Sequence, residues 1–145
     1  MSEDGTAGGG RPPGGESAPG GGFVIEHGQV GDTRVLRLRG ELDLLAAPVL
    51  RRGLVEAAQA HVPRLLVDVS ELGFVDSTGL SVLVAARHRL AEAGGRLALA
   101  GPGGVVRDAL VASGLDLVID VYGGLDEALA ALGEELPPPR SQAPS

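Results

Sequence analysis

The chain has 145 residues, 43% hydrophobic and 21% charged, which suits one domain with a core of its own rather than two separate cores. It contains no cysteine, which excludes disulfides, thiolate metal sites, iron–sulfur clusters and cysteine nucleophiles, and no lysine, which excludes phosphate-loop and Schiff-base lysines. The net charge is −7 and only Phe23, Phe74 and Tyr122 are aromatic, so a nucleic-acid binder's basic footprint and stacking platforms are both missing.

Residues 1–22 hold nine glycines and three prolines and, apart from Met1, no aliphatic side chain larger than alanine. Such a stretch cannot bury enough surface to offset ordering entropy and reads as a flexible tail. Strands are expected at Val24–His27 and Thr33–Arg39, joined by a turn over Gly28–Asp32 into an antiparallel hairpin. A helix follows from Pro48 to about Ala60, striped by Leu50, Leu54, Ala57 and Ala58, with Ala47 as a weak cap.

Beyond Pro63, Leu65–Val69 reads as a strand covered on both faces. The loop Ser70–Asp76 leads to a helix over Ser77–Glu92, stopped by Gly94-Gly95. Then come a strand at Arg96–Ala100, a helix at Val105–Ser113 ended by Gly114, a strand at Leu117–Val121 and a helix at Leu125–Leu132. Glu134-Glu135 reads as a solvated helix end, and Pro137-Pro138-Pro139 opens a second tail. The expected organisation is a tail over 1–22, a domain over 23–135 and a tail over 136–145.

Strands separated by helices run parallel with right-handed crossovers. The expected fold class is therefore α/β: a small mixed sheet, its first strand antiparallel and the rest parallel, with about four packed helices. Binding sites in such sheets gather at the carboxyl ends of the parallel strands. The run Asp76-Ser77-Thr78-Gly79 stands at such a position, where a strand exit meets a helix start. Unpaired backbone N–H groups and the positive end of the helix dipole lie there. Either Asp76 or Ser77 can cap the helix, with Thr78 filling the first turn. One cap needs one oxygen, however, and three candidates stand beside Gly79, whose lack of a side chain lets a neighbouring backbone come close.

The string Leu72-Gly-Phe-Val-Asp-Ser-Thr-Gly-Leu80, preceded by Leu66-Val-Asp-Val-Ser70 and Arg39-Gly-Glu-Leu-Asp43 and followed by Ala112-Ser-Gly-Leu115, resembles the anti-sigma-factor antagonist family, whose domain is called STAS. The likeness runs over about residues 23–133. It implies a binding module rather than an enzyme, with no cofactor; a cytoplasmic location is the default expectation, since no apolar run is of membrane length and the N-terminus lacks the basic-then-apolar order of a signal peptide. The likeness further implies that the unphosphorylated protein binds an anti-sigma factor, itself a serine kinase, and frees the sigma factor. The acceptor matches Ser77, with Thr78 as runner-up; Asp43, Asp76 and Gly79 match the rest of the partner-binding loop. A separate serine phosphatase resets the switch. The alternative within the same fold is a subunit or scaffold of a larger assembly, such as a membrane transport complex.

Rival sites are weaker. Gly101-Pro-Gly-Gly104 precedes a helix but has Val106 where a dinucleotide loop needs its third glycine, so it reads as a tight turn. His27 at a hairpin turn, His61 at a helix end and His88 on a solvated face form no metal spacing. His88 lies three turns from Ser77 and cannot serve it as a base. No apolar run approaches the roughly 20 residues of a membrane span, so no direct membrane insertion is expected.

Overall fold

The computed structural model describes residues 15–17, 22–59 and 64–134. The tail readings for 1–14, 18–21 and 135–145, together with His61 and the helix end at Ala60, lie outside these residues. The elements are β1 (Gly15–Ser17), β2 (Phe23–Val30), β3 (Thr33–Leu42), α1 (Ala47–Gln59), β4 (Arg64–Val75), α2 (Ser77–Glu92), β5 (Arg96–Ala100), α3 (Gly104–Ser113), β6 (Asp120–Tyr122) and α4 (Leu125–Ala131). They form one sheet in the order β1-β2-β3-β4-β5-β6. The β1/β2 and β2/β3 pairs are antiparallel and the remaining three are parallel. The mixed α/β sheet with four helices is the expected architecture.

Strand order equals chain order, so right-handed crossovers place α1, α2 and α3 on the same side. Leu50 and Leu54 of α1, Val82 and Leu83 of α2 and Leu110 of α3 pack there with Leu36, Leu38, Val67 and Leu99 of the sheet. The opposite face is covered only in part. Ala128, Leu129 and Leu132, in and just after α4, pack on Val35, Leu66 and Ala98. Beyond α4 that face carries ion pairs, Arg37 with Asp68 and Arg39 with both Glu26 and Glu71. No helix of the described residues is long and apolar enough to cross a membrane.

Several boundaries differ from the sequence expectation. The hairpin turn is only Gly31-Asp32, because the ladder continues to Val30↔Thr33 and Gly31 takes a left-handed φ of 56°. His27 therefore lies within β2, opposite Leu36, and is half-buried. The segment after Ile119 forms only the short β6, since Gly114 turns left-handed at φ 76° and Leu115–Leu117 coil into a 3-10 turn. Gly15–Ser17, within the expected tail, adds three residues of ladder to the open edge of β2. Glu134 is not solvated: its Oε2 accepts from the Asp32 amide at 3.0 Å and the Thr33 hydroxyl at 2.7 Å, and pairs with Arg64 at 3.3 Å. Asp32 and Thr33 stand about a hundred positions earlier and Arg64 70 positions earlier, beyond the reach of any local pattern.

The largest difference bears on the site. The expected loop Ser70–Asp76 is strand as far as Val75. The β3/β4 register slips between Arg37/Arg39 and again between Gly40/Glu41, each slip placing one extra residue in β4. Such bulges break the alternation that marks a strand in sequence while preserving the pairing. Asp68, buried, steadies the first one: its Oδ1 accepts from the Ser70 amide at 3.0 Å while Oδ2 accepts from Arg37 Nε at 3.2 Å.

Candidate functional site: the junction of β3, β4 and α2

β5 pairs with β4 only from Arg64 to Asp68, whereas β3 follows β4 to the Leu42↔Val75 pair. Two strands thus project past their neighbour and end together. The Asp76 amide donates to the Leu42 carbonyl at 3.1 Å, closing the ladder one residue beyond that pair. Asp43 and Asp76, the next residue on each strand, are thereby brought to one end of the sheet, where α1 and α2 both begin.

Each aspartate caps its own turn. Asp76 has extended backbone, φ −106° and ψ −177°, and its Oδ1 accepts from the Gly79 amide at 3.0 Å. Asp43 Oδ1 accepts from the Leu45 and Ala46 amides, both at 3.1 Å, in the turn that leads into α1. Ala47 is therefore not the cap of α1; the aspartate four residues earlier shapes its start. At α2 a free amide and the positive end of the helix dipole meet a carboxylate already, whereas Asp43 holds only the turn before α1.

Ser77 is consequently left without capping work. It is exposed, and its hydroxyl makes no hydrogen bond to a described residue, although its carbonyl accepts from Ser81 Oγ at 2.9 Å. Thr78 is half-buried. Gly79 is buried, and a Cβ there would lie 2.5 Å from Leu42 Cγ and 3.1 Å from Val75 Cγ2. The close approach that needs glycine is to side chains, not to a neighbouring backbone.

Three apolar residues that the sequence reading passed over frame the same end. Leu44 is 68% exposed, Leu45 62% and Phe74 42%. Leu44 and Leu45 sit in the turn held by Asp43, and Phe74 pairs in register with Glu41. Exposed apolar side chains gathered beside polar groups mark an interaction surface rather than a stability device. The only available signal was Leu44-Leu45 immediately after a turn-forming aspartate, where an inward-facing pair is the ordinary outcome.

The rival features stay apart from this end. Gly101, at φ 71°, turns the chain after β5, and its amide donates to the Tyr122 carbonyl at 2.9 Å. That bond continues the pairing of β5 with β6 rather than closing a tight turn. Among the described residues no group of three or more His, Asp or Glu is placed to hold a metal ion.

Residues 25–128 match the family model of the STAS domain. The chain belongs to the STAS domain family. This STAS protein is 28% identical over 109 residues to the anti-sigma-F factor antagonist RsfB of Mycobacterium tuberculosis, covering 75% of this chain and 86% of that one. It resembles the crystal structure of an anti-sigma factor antagonist from Mycobacterium paratuberculosis with a TM-score of 0.73 and 28% identity, over 81% of this chain and 98% of that one. SpoIIAA, an anti-sigma factor antagonist, is similar in its unphosphorylated form, with a TM-score of 0.65 and 28% identity over 74% of this chain and 94% of that one. A phosphorylated form of SpoIIAA, a Bacillus protein, also matches, with a TM-score of 0.59.

Proposed function

We propose that this STAS protein is an anti-sigma factor antagonist switched by phosphorylation. The unphosphorylated form binds, in the cytoplasm, an anti-sigma factor that is also a serine kinase, and so frees a sigma factor. Phosphate on Ser77 abolishes that binding, and a serine phosphatase restores it. The observation that carries the reading is the exposed Ser77 hydroxyl, released from capping by Asp76 and framed by Asp43, Leu44, Leu45 and Phe74. The names of the relatives support the role, and the two forms of SpoIIAA support control by phosphate.

The energetics favour release. A phosphate adds about −1.5 to −2 charges at neutral pH at a place where the Asp76 carboxylate already answers the start of α2. The helix dipole returns only about 0.3–2 kcal/mol. Desolvating an unpaired charge in a contact shaped for a neutral hydroxyl costs on the order of 2–5 kcal/mol. The difference is enough to reverse occupancy near the dissociation constant.

The test is phosphorylation by the cognate kinase with ATP, followed by mass spectrometry of the peptides. Phosphate is expected on Ser77 and none on Ser77→Ala. Labelling of Thr78 alone, or undiminished labelling of Ser77→Ala, would move the acceptor elsewhere.

A further inference from the structure

The register of β4 on β3 changes on the way to the junction. Arg37↔Asp68 joins residues 31 apart, Arg39↔Glu71 residues 32 apart and Leu42↔Val75 residues 33 apart. Asp43 and Asp76, themselves 33 apart, follow their strands side by side only because both bulges are present. Without the first bulge Leu44 would stand opposite Asp76, a displacement of about 3.3 Å along the strand. Side chains alternate, so the same slip would turn Glu71 toward the core and the buried Leu72 out of it.

Asp68 sits where that first bulge begins. Arg37 and Arg39 are two residues apart on one face of β3, whereas their partners Asp68 and Glu71 are three apart on β4. A regular ladder cannot seat both pairs; the bulge seats both. The Arg39–Glu71 pair is about half exposed on each side, and such pairs contribute little. Asp68 is the one buried charged residue among the described residues. Its Oδ2 accepts from Arg37 Nε and its Oδ1 from the amide of Ser70, a residue with no ladder partner on β3. A buried ion pair stabilises a fold no better than apolar packing of the same size, and its best-attested use is to select a register. The second bulge falls at Gly40, whose φ of 99° is open to glycine, so the backbone alone accommodates it.

We infer, on the reading of Ser77 as the phosphate acceptor, that Asp68 is a positioning residue for that hydroxyl. Val67 and Val69 face the helices, so Asp68 between them faces away from α2 and acts through the strand. By holding the first bulge it sets the level at which β4 ends. That level decides where Asp76 starts α2, and so where Ser77 is presented beside the turn held by Asp43. Arg37 in turn keeps the buried carboxylate charged and in place.

The test compares Asp68→Ala and Asp68→Asn with the wild-type full chain, and with Glu134→Ala as a destabilised control at the other end of the sheet. Two quantities are read: phosphorylation of Ser77 by the cognate kinase, and hydrogen exchange of the backbone amides. Asp68→Ala should lower kcat by about tenfold or more, with a smaller change in KM, because a displaced acceptor hydroxyl costs rate more than docking. It should also speed exchange of the Ser70 and Asp76 amides while those of Leu65 to Val67 keep their protection. Asp68→Asn keeps an oxygen for the Ser70 amide but no charge for Arg37. It should show the same changes at smaller size, so the comparison survives if the alanine variant does not fold. Wild-type kcat together with wild-type Asp76 exchange in the folded variants would overturn the inference, as would an equal fall of kcat in Glu134→Ala. No phosphate on wild-type Ser77 would end the reading of the acceptor, whereas faster Asp76 exchange would still mark Asp68 as the residue that levels the two strand ends.

Discussion

The Asp76 carboxylate, and not the Ser77 hydroxyl, accepts the Gly79 amide at 3.0 Å. One hydrogen bond thereby settles a duty that neighbouring residues could have shared: Asp76 holds the helix start, and the exposed Ser77 hydroxyl takes no part in capping. Asp76→Ala should therefore cost about 0.5–2 kcal/mol of folding free energy, the usual penalty for losing such a cap. Ser77→Ala should change stability by less than about 0.5 kcal/mol, as expected of an exposed position without a partner. Urea unfolding of the two variants checks the contrast, and a larger loss in Ser77→Ala would assign the capping role to the wrong residue.

Gly79 packs against Leu42, and a methyl group there has nowhere to go. Gly79→Ala should destabilise the protein by about 1–3 kcal/mol through overpacking, despite the better helix propensity of alanine. The hardest clash is with Leu42, Val75 being the looser neighbour, so the loss should shrink in a Leu42→Ala background. A double-mutant cycle measures that coupling; strict additivity would show that the crowding lies elsewhere.

At the far end of the sheet, Glu134 ties the segment after α4 to the hairpin through Asp32 and Thr33 and to the start of β4 through Arg64. Thr33 is fully buried, so Glu134→Ala strands a hydroxyl as well as removing an ion pair. A loss of about 1–3 kcal/mol is expected, read by thermal or urea unfolding. A variant indistinguishable from wild type would mean that the carboxylate contributes no net stabilisation.

Leu44 and Leu45 are exposed and contribute little to the core, so Leu44→Asp should leave the unfolding midpoint nearly unchanged. In complex with the cognate anti-sigma factor it should cost more than about 1.4 kcal/mol, a tenfold loss of affinity. Unchanged affinity would take these leucines out of the contact.

The helix beginning at Ser77 and the parallel topology were readable from sequence because apolar periodicity changes sharply at Asp76 and because a helix separates each successive parallel strand. The extension of β4 was not readable: Ser70, Glu71 and Gly73 interrupt the apolar run, and two bulges destroy the period of two that would have revealed a strand. Ser77, the proposed acceptor, the two aspartates and Gly79 were visible as a motif. Leu44, Leu45 and Phe74 were not, because an apolar residue beside a turn ordinarily faces inward, and only the joint projection of β3 and β4 turns these outward. The same limit hid Asp43 as the residue shaping the start of α1, since its bonds reach only the turn before the helix.

The most direct test compares the affinity of the cognate anti-sigma factor for unmodified protein, for protein phosphorylated on Ser77 and for Ser77→Ala. Calorimetry should find Ser77→Ala close to the unmodified protein and the phosphorylated form weaker by about 30-fold to several-thousand-fold. Equal binding of the phosphorylated and unmodified proteins would contradict the switch.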